Sequence, residues 1–439
     1  MEVRPLSCSQ ELMLGFGAED GFSPATWNHQ ILMDVIDYED AHLLDTLRAL
    51  WLRHEILRSR IDVRHGRHCQ VVAPPGEALP HRLVGPGDPA VIAAQELAAP
   101  FDLRGGPLFR NVAIPLPGGS VRLVLTVNHL ISDRESEVML AEELSAHYEH
   151  AGNAPSREPA PHQYGEFARW QRAELARYIR NPDDAQAWRD HEAAVAALGA
   201  VHGAEARGPV LHTDPIQEEI ELRFTRRDST VLTEYCREHG ATTNALILAA
   251  LCTALSARPD LGLGVLIGEK TVRSPYRFAH TLGPFSDLWP IDRRASGARE
   301  FAISLADIQR QILRAIDGAL PFHVLLTRTP WLMRELLHPA GGRWVFYQYF
   351  ADPAWRGDQH TRIGRVDFPD SFGRQSQIFG LHMQVRHGSA GLSARLCHRL
   401  DSLNRHDAGV LVDRIRNVIS HATGRQLELP TISLVPAQT

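Results

Sequence analysis

The stretch Asn128-His129-Leu130-Ile131-Ser132-Asp133-Arg134 lies where an alternating apolar segment gives way to a predicted helix. In the preceding residues, 121–127, every second side chain is apolar, which is typical of a strand with one buried face. Ser136 is a favourable N-cap residue, and Glu135 and Glu137 suit the positive end of a helix, so we predict that a helix begins near Ser136. A histidine at such a junction is held by the strand and still lies at the edge of the element. That is where a positioned proton acceptor belongs.

This stretch resembles the His-His-x-x-x-Asp-Gly motif of the condensation domains of nonribosomal peptide synthetases, which are relatives of chloramphenicol acetyltransferase. His129 matches the second, catalytic histidine of that motif, and Asp133 matches its aspartate. Two positions depart from the motif, because Asn128 stands in place of the first histidine and Arg134 in place of the glycine. The motif is therefore divergent, and the resemblance to the family also depends on the other segments of the chain.

Further segments resemble the same family and follow its order along nearly the whole chain. They include a Ser-x-x-Gln opening, an Arg-His-Glu-x-Leu-Arg segment and a Trp-Gln block, and they occupy residues 6–10, 53–58, 101–108, 164–171, 282–290 and 321–326. The resemblance implies an α/β fold of two chloramphenicol-acetyltransferase-like lobes arranged as a V, with an active-site tunnel between them. We expect residues 1–175 to form the lobe that carries His129 and residues 176–439 to form the other.

Length and composition agree with this interpretation. Of the 439 residues, 44% are hydrophobic and 22% charged, as in an ordinary globular protein, and the length suits two lobes of about 200 residues each. A net charge of -6 gives no electrostatic reason to bind nucleic acid or an anionic membrane. There is no 18-residue apolar run, no signal-peptide pattern and no Cys-x-x-Cys pair. His54 and Glu55 lack the second histidine of a zinc-binding helix. We therefore expect a reduced, cytoplasmic protein without a bound metal.

Hydrophobic periodicity predicts the remaining elements. Helices are predicted over 42–57, 243–255 and 406–421, and strands over 61–72, with a turn at 65–66, and over 392–397. The proline-rich stretch 74–89 is predicted to be a loop, and a helix through Trp170 and Trp188 is expected to lead into the second lobe. Residues 429–439 show no further module, so we expect a stand-alone enzyme.

His129 is the predicted catalytic residue. Amide formation from a thioester needs a neutral amine and help with a zwitterionic tetrahedral intermediate, and a neutral imidazole can accept that proton or orient the amine. Positioning two reactants in one tunnel supplies much of the acceleration even without a strong base. The alternative is a structural histidine that only caps the strand.

Asp133 is assigned to the catalytic loop, where the resemblance implies a supporting role more than a chemical one. In the family, the matching aspartate pairs with an arginine across the lobe junction and holds the histidine loop. Arg273 occupies the comparable region of this chain, and Arg277 is the alternative partner. Removing one partner of a buried pair leaves a charge uncompensated, so loss of Asp133 should damage folding along with activity.

The two departures from the motif call for different explanations. Asn128 can donate and accept hydrogen bonds but cannot titrate, so it suits a position that is mainly scaffold. Glycine is used where the backbone needs positive φ or a close approach. Arg134 in its place indicates that the loop no longer needs that conformation, or that a charged group enters the active-site mouth. We count Arg134 among the candidate substrate-contacting residues, although a solvent-facing arginine is the simpler alternative.

Cys8 is a candidate nucleophile. The opening segment of the family lies close to the tunnel, and a thiol at a helix N-terminus is a better source of thiolate. Cys8 and His129 could therefore form a nucleophile–base pair that accepts the acyl group before the amine arrives. Against this, a free cysteine is more often a small buried hydrophobic residue.

Three further residues are candidates for the substrate tunnel. Asp287 replaces an asparagine of the family pattern in segment 282–290, and Trp289 and Tyr347 are placed to line the acceptor side. Core packing is an equally good explanation for the two aromatic residues.

The resemblance implies an amide-forming condensation enzyme of a secondary-metabolite, antibiotic-type pathway. Its donor would be an acyl or aminoacyl thioester on the 4'-phosphopantetheine of a carrier protein, and the enzyme would bind no cofactor of its own. The acceptor is expected to be a small free amine, such as the amino sugar of lincosamide-type pathways. Two alternatives stay open. One is ester formation with a hydroxyl acceptor, which demands a stronger base, and the other is a non-catalytic condensation-like domain that docks partner enzymes.

Overall fold

The computed structural model describes residues 1–16, 24–149, 160–180, 217–271, 273–293, 300–317, 320–328, 344–351, 362–367, 379–388, 391–424 and 433–436. The chain divides into two compact units. The first comprises Met1–Asn181, Val272–Ser286 and Trp355–Ser371, and the second comprises Pro182–Thr271, Asp287–Ala354 and Phe372–Thr439. The boundary expected after residue 175 falls within a helix, Tyr164–Arg180. Two segments from later in the chain also belong to the first unit.

The first unit mixes helices with two sheets, and elements are numbered here in chain order. Its helices are α1 (Cys8–Phe16), α2 (Asp40–Arg53), α3 (Pro89–Ala98), α4 (Arg134–Glu149) and α5 (Tyr164–Arg180). Its strands are β1 (Glu2–Pro5), β2 (Asn28–Val35), β3 (Ser59–Arg64), β4 (Arg67–Val72), β5 (His81–Leu83), β6 (Phe109–Leu116), β7 (Ser120–Asn128) and β12 (Ile363–Asp367). Short 3₁₀ helices are Pro24–Trp27, Glu55–Arg58 and Tyr276–Phe278. The sheets have the strand orders β1-β4-β3 and β12-β2-β7-β6-β5.

The second unit is built on one seven-stranded sheet. Its strands are β8 (Gln217–Arg223), β9 (Val265–Thr271), β10 (Ser286–Pro290), β11 (Trp344–Ala351), β13 (Leu381–Gly388), β14 (Gly391–Arg399) and β15 (Ser433–Pro436). Their order in the sheet is β10-β9-β11-β13-β14-β8-β15. Its helices are α6 (Arg226–Glu238), α7 (Thr243–Ser256), α8 (Phe301–Asp317), α9 (Phe322–Arg328) and α10 (Arg405–Thr423). A 3₁₀ helix spans Pro259–Leu261. Both units are therefore α/β, as the sequence predicts.

Strand β7, which leads to the candidate site, lies in the interior of its sheet. It pairs antiparallel with β2 on one side and with β6 on the other. The alternating apolar residues of 121–127 face the main core of the first unit, which confirms the predicted strand. On the other face, Val124 packs in a smaller cluster with Ala93, Val112 and Ile114. Apolar contacts on both faces fix the strand and hence the place where it ends.

Several predicted elements are confirmed, and the differences have local causes. The β3–β4 hairpin turns at His65 and Gly66, which have φ of 51° and 73°, the left-handed conformation that a two-residue hairpin needs. The helices predicted over 243–255 and 406–421 and the strand over 392–397 are α7, α10 and β14. The helix predicted over 42–57 ends at Arg53, because His54 adopts an extended backbone before a 3₁₀ turn. The loop predicted over 74–89 contains the short strand β5. Trp188 lies outside the described residues.

Two later segments join the first unit through specific contacts. Strand β12 pairs antiparallel with β2 and forms the edge of the five-stranded sheet. In the segment 282–285, the Tyr164 hydroxyl donates to the Pro284 carbonyl oxygen at 2.7 Å. Gly283 lies so close to the Tyr164 ring that a Cβ atom would fall 1.9 Å from a ring carbon. Only glycine fits this position, and so the segment can pack directly against α5.

Across the described ranges, no helix combines the length and the apolar character needed to cross a lipid bilayer.

Candidate active site

The Asp133 carboxylate joins three parts of the first unit. It lies immediately before α4, and its Oδ1 atom accepts a hydrogen bond from the Ser136 backbone N–H at 2.8 Å. The same oxygen accepts from Arg273 Nη2 at 2.6 Å, and Oδ2 accepts from the Phe285 backbone N–H at 2.9 Å. Asp133 is therefore the N-cap of α4. The prediction that the helix begins near Ser136 was two residues late, because Ser136 lies in the first turn and donates to the cap.

Arg273 is the partner of Asp133 in the structure. Its guanidinium also binds the Ser136 hydroxyl at 2.9 Å, lies 2.9 Å from a Glu135 carboxylate oxygen and stacks 4.3 Å from the Phe285 ring centroid. The side chains of Asp133 and Arg273 are only 1% and 7% exposed. Two buried charges at this distance compensate each other, and each would be costly alone. The alternative partner, Arg277, instead lies over the ring of Phe278.

Asn128 holds the start of the loop through both ends of its amide. Its Oδ1 atom accepts from the Leu130 backbone N–H at 3.0 Å, and its Nδ2 atom donates to Asn28 Oδ1 at 3.2 Å. Asn28 in turn donates to the carbonyl oxygens of Leu97 and Ala99. Because its neutral amide accepts through Oδ1 and donates through Nδ2, Asn128 has a structural task that needs no titratable group.

Gln10 also supports the loop, and sequence reasoning did not single it out as a site residue. Its Nε2 atom donates to the Leu130 carbonyl oxygen at 2.9 Å and to Gln70 Oε1 at 3.0 Å. Its Oε1 atom accepts from the Ser7 backbone N–H, while the Ser7 hydroxyl accepts from the Gln10 backbone N–H. The Ser-x-x-Gln segment is therefore the capping box of α1. The box could be recognised in the sequence, but its contact with residue 130 could not.

His129 presents one ring nitrogen as a proton acceptor. Its Nδ1 atom lies 2.6 Å from the Ser132 carbonyl oxygen, and since a carbonyl can only accept, Nδ1 carries the proton. In the neutral ring this leaves the lone pair on Nε2. The residue is 9% exposed, and its backbone N–H donates to the Trp27 carbonyl oxygen. Burial, followed by the charge of nearby His29, lowers the pKa of His129 to about 4.

His29 and Glu137 form a second ionisable pair next to His129, and sequence analysis did not identify it. The ring centroids of His29 and His129 are 4.7 Å apart, and His29 Nδ1 lies 2.6 Å from Glu137 Oε1. The other carboxylate oxygen of Glu137 lies 3.5 Å from Arg134 Nη1. Burial raises the pKa of Glu137, but the positive charges of His29 and Arg134 outweigh it and hold that pKa below its ordinary value.

Arg134 occupies the first helical position of α4, so the glycine-like backbone of the family motif is not needed here. Its side chain is 18% exposed and pairs with Glu137 three residues later. The simpler alternative, a solvent-facing arginine, is therefore wrong. Whether Arg134 also contacts a substrate stays a prediction.

Cys8 is the first residue of α1 and is completely buried. Its backbone N–H donates to Gln171 Oε1 at 2.8 Å, and its thiol is close enough to the Tyr164 hydroxyl to influence it electrostatically. These contacts place Cys8 at the packing of α1 against α5. Its predicted role as a nucleophile stays a prediction.

The remaining candidates belong to the second unit. Asp287 accepts from the Phe322 backbone N–H at 3.1 Å and lies 3.7 Å from Lys270 Nζ, and burial raises its pKa. Trp289 and Tyr347 are part of the hydrophobic core of this unit. The Trp289 indole lies against Gly268, and the Tyr347 hydroxyl donates to Asn244. Packing accounts for both aromatic side chains, and substrate contact by any of the three stays a prediction.

The described part of the chain contains no cluster of three histidine, cysteine or acidic side chains that could hold a metal ion. The described residues at the site supply an imidazole whose Nδ1 binds a carbonyl oxygen, with a buried histidine–glutamate pair beside it.

Comparison with known proteins gives matches along almost the whole chain. The family model of the condensation domain matches residues 2–418. Over 99% of its length, the chain is 28% identical to the phosphinothricin tripeptide synthetase PhsB of Streptomyces viridochromogenes, and it spans 37% of that synthetase. It is also 28% identical to tyrocidine synthase 3 of Brevibacillus parabrevis, over 65% of this chain and 4% of that synthase. The chain thus spans well under half the length of these relatives.

Two solved structures show the fold. The condensation domain of the monacolin K polyketide synthase MokA superposes with a TM-score of 0.75 at 17% identity, covering 98% of this chain and 99% of that one. The X-domain in complex with OxyB from teicoplanin biosynthesis gives a TM-score of 0.71 at 19% identity, covering 97% and 95%. These similarities confirm the predicted fold class.

We predict that Asp133→Ala lowers the free energy of unfolding by about 3–5 kcal/mol, because the buried Arg273 guanidinium loses its counter-charge. Urea denaturation followed by circular dichroism measures this change. The matched control is Asp62→Ala, which breaks an aspartate–arginine pair with Arg64 that is exposed on the surface of the same unit and should leave stability nearly unchanged. Equal effects of the two substitutions would contradict the role assigned to Asp133.

Proposed function

Because this chain belongs to the condensation-domain family, we propose that it transfers an acyl group from a thioester to an amine and so forms an amide bond. The observation that carries the proposal is His129, whose ring is fixed by the Ser132 carbonyl oxygen with Nε2 left as a proton acceptor. The donor is a thioester on the 4'-phosphopantetheine arm of an acyl or peptidyl carrier protein. The acceptor is a small free amine.

Besides positioning the two reactants, the protein has to supply one proton acceptor. The neutral amine nitrogen attacks the thioester carbonyl carbon, the C–N bond forms, and the carbonyl electron pair moves to oxygen. His129 Nε2 takes the proton from the ammonium centre of this intermediate. The carbonyl re-forms, the C–S bond breaks, and the departing sulfur takes the proton from His129. The imidazole of His129 is then neutral again.

An amine acceptor suits this histidine better than a hydroxyl acceptor does. The amine attacks as a neutral nucleophile, so the base is needed only after the C–N bond has formed. A hydroxyl must lose its proton as it attacks, which demands a stronger base. Burial and the neighbouring His29 make His129 a weak base, since they lower its pKa to about 4. Ester formation is therefore the second candidate.

A docking role without catalysis is the candidate from another class. One structural neighbour is an X-domain in complex with OxyB, and Asn128 removes one titratable group from the motif. The presence of a fixed, unprotonated imidazole at residue 129 favours catalysis. Activity assays of His129 variants separate the two functions.

We predict that His129→Gln reduces turnover by about 100-fold or more, the usual scale for a positioned general base, with little change in melting temperature. The assay mixes the protein with an aminoacyl-loaded carrier and a panel of small amines, and mass spectrometry measures the amide product. His42→Gln is the matched control, because it removes another histidine of the same unit, one that binds the Tyr148 carbonyl oxygen. If the His129 variant keeps most of the wild-type rate, this histidine is not the base.

A covalent route, in which the Cys8 thiol accepts the acyl group before the amine binds, can be distinguished from direct attack by the amine. Because the Cys8 thiol is completely buried and packs near α5, we expect direct attack by the amine. Cys8→Ala should then keep turnover within about twofold, since it removes only a small apolar group. Intact-protein mass spectrometry of the enzyme with loaded carrier, but without acceptor, should show no acyl adduct. An adduct that disappears in Cys8→Ser would establish the covalent route instead.

A further inference from the structure

The arrangement around His129 contains an imidazole that the motif does not supply. In the family, the position before the catalytic histidine is a second histidine, whereas here it is Asn128, which serves as scaffold. His29, on the neighbouring strand β2, brings a second ring to within 4.7 Å of the His129 ring. The register of the sheet explains this approach, since Asn28 pairs with Asn128 and His29 with Val127.

Glu137 makes a charged state of His29 favourable. The distance of 2.6 Å between His29 Nδ1 and Glu137 Oε1 is that of a short, charge-assisted hydrogen bond. The Glu137 side chain is almost completely buried, so its negative charge needs a close positive partner. Arg134 is farther away, at 3.5 Å, and more exposed. His29 is therefore the nearer partner of this carboxylate.

We propose that His29, held as an imidazolium by Glu137, is a positioning residue that keeps the adjacent His129 unprotonated and ready to accept a proton. The pair does not touch substrate in this proposal. It acts on the base through the short distance between the two rings. The second imidazole of the site thus comes from β2 instead of from the motif.

Other charged groups near His129 also affect whether its ring is protonated. On the loop and the first turn of α4, Asp133 and Glu137 both favour a protonated His129. Asp133 is already compensated by Arg273, and Glu137 by His29 and Arg134. From β2, His29 disfavours protonation of His129, and Trp27, which precedes β2, contributes an uncharged ring at 6.0 Å. At His129, burial has the largest effect on the pKa and the charge of His29 the next largest, ahead of the opposing charges of Glu137 and Asp133.

This inference bears on the reaction only if the proposed amide synthesis is correct, but the state of the two rings can be measured without any substrate. A positive charge beside His129 makes its transient imidazolium a stronger acid. The proton taken from the amine then passes readily to the departing thiolate. His29 thereby speeds the return of the base to its neutral form.

The first experiment uses the wild-type protein labelled with ¹⁵N-histidine, with His29→Gln and His129→Gln to assign the two rings. Nuclear magnetic resonance at pH 6 should show both ring nitrogens of His29 protonated and His129 protonated only at Nδ1. A neutral His29 at this pH would overturn the proposal, and the two variants serve only to assign the rings in the wild-type spectrum. It is also independent of the success of any acyl-transfer assay.

The second experiment measures the titration of His129 in His29→Gln. Removing the neighbouring charge should raise the pH at which His129 titrates by about one unit or more, the usual effect of a charge within 4–6 Å. His54→Gln is the matched control, because it removes another histidine that binds a glutamate of α4. His54 Nε2 lies 2.7 Å from Glu143, which is on the same helix as Glu137. The control substitution should leave the pH at which His129 titrates unchanged. If His29→Gln leaves it unchanged, or both variants shift it equally, the proposal is wrong.

Discussion

The carboxylate of Asp133 is the interaction on which the candidate site depends. One oxygen caps α4 and binds Arg273, and the other binds the Phe285 backbone. The carboxylate therefore ties the end of the histidine loop to a segment about 150 residues later in the chain. The start of the loop is held separately by Asn128 and Gln10. His129 lies between these two anchors, so neither its backbone nor its ring has much freedom.

Rigid support has a direct chemical consequence. The Ser132 carbonyl oxygen binds the Nδ1 proton of His129, which leaves Nε2 as the acceptor without any reorganisation. Burial removes water from the ring and lowers its pKa, and the charge of His29 on β2 lowers it further. A base prepared in this way is weak but always unprotonated near neutral pH. That combination suits proton removal from an amine that has already attacked.

The sequence was most informative where local chemistry decides the structure. Period-two alternation predicted β7, and the pair His65-Gly66 predicted the β3–β4 turn, because both signals depend only on neighbouring residues. The start of α4 was predicted too late, since Asp133 and Ser136 are both favourable N-cap residues. Only the tertiary structure shows that Asp133 is the cap. The pairing of Asp133 with Arg273 was inferred from family resemblance, and no spacing in this chain would have indicated it.

What could not be predicted depends on contacts between distant segments. His29 and Glu137 are 108 residues apart and meet only because β2 pairs with β7 in one register. Sequence pattern also could not show that β12 completes the sheet of the first unit, or that Trp289 and Tyr347 belong to the core of the second. The central claim is that Asp133 holds the His129 loop in place. Amide hydrogen exchange at Ser136 and Phe285, whose N–H groups donate to this carboxylate, tests it most directly. We expect slow exchange at both amides in the wild-type protein and fast exchange at both in Asp133→Ala under native conditions, while the amides of β7 stay protected. Unchanged protection of the two amides in the variant would contradict the claim.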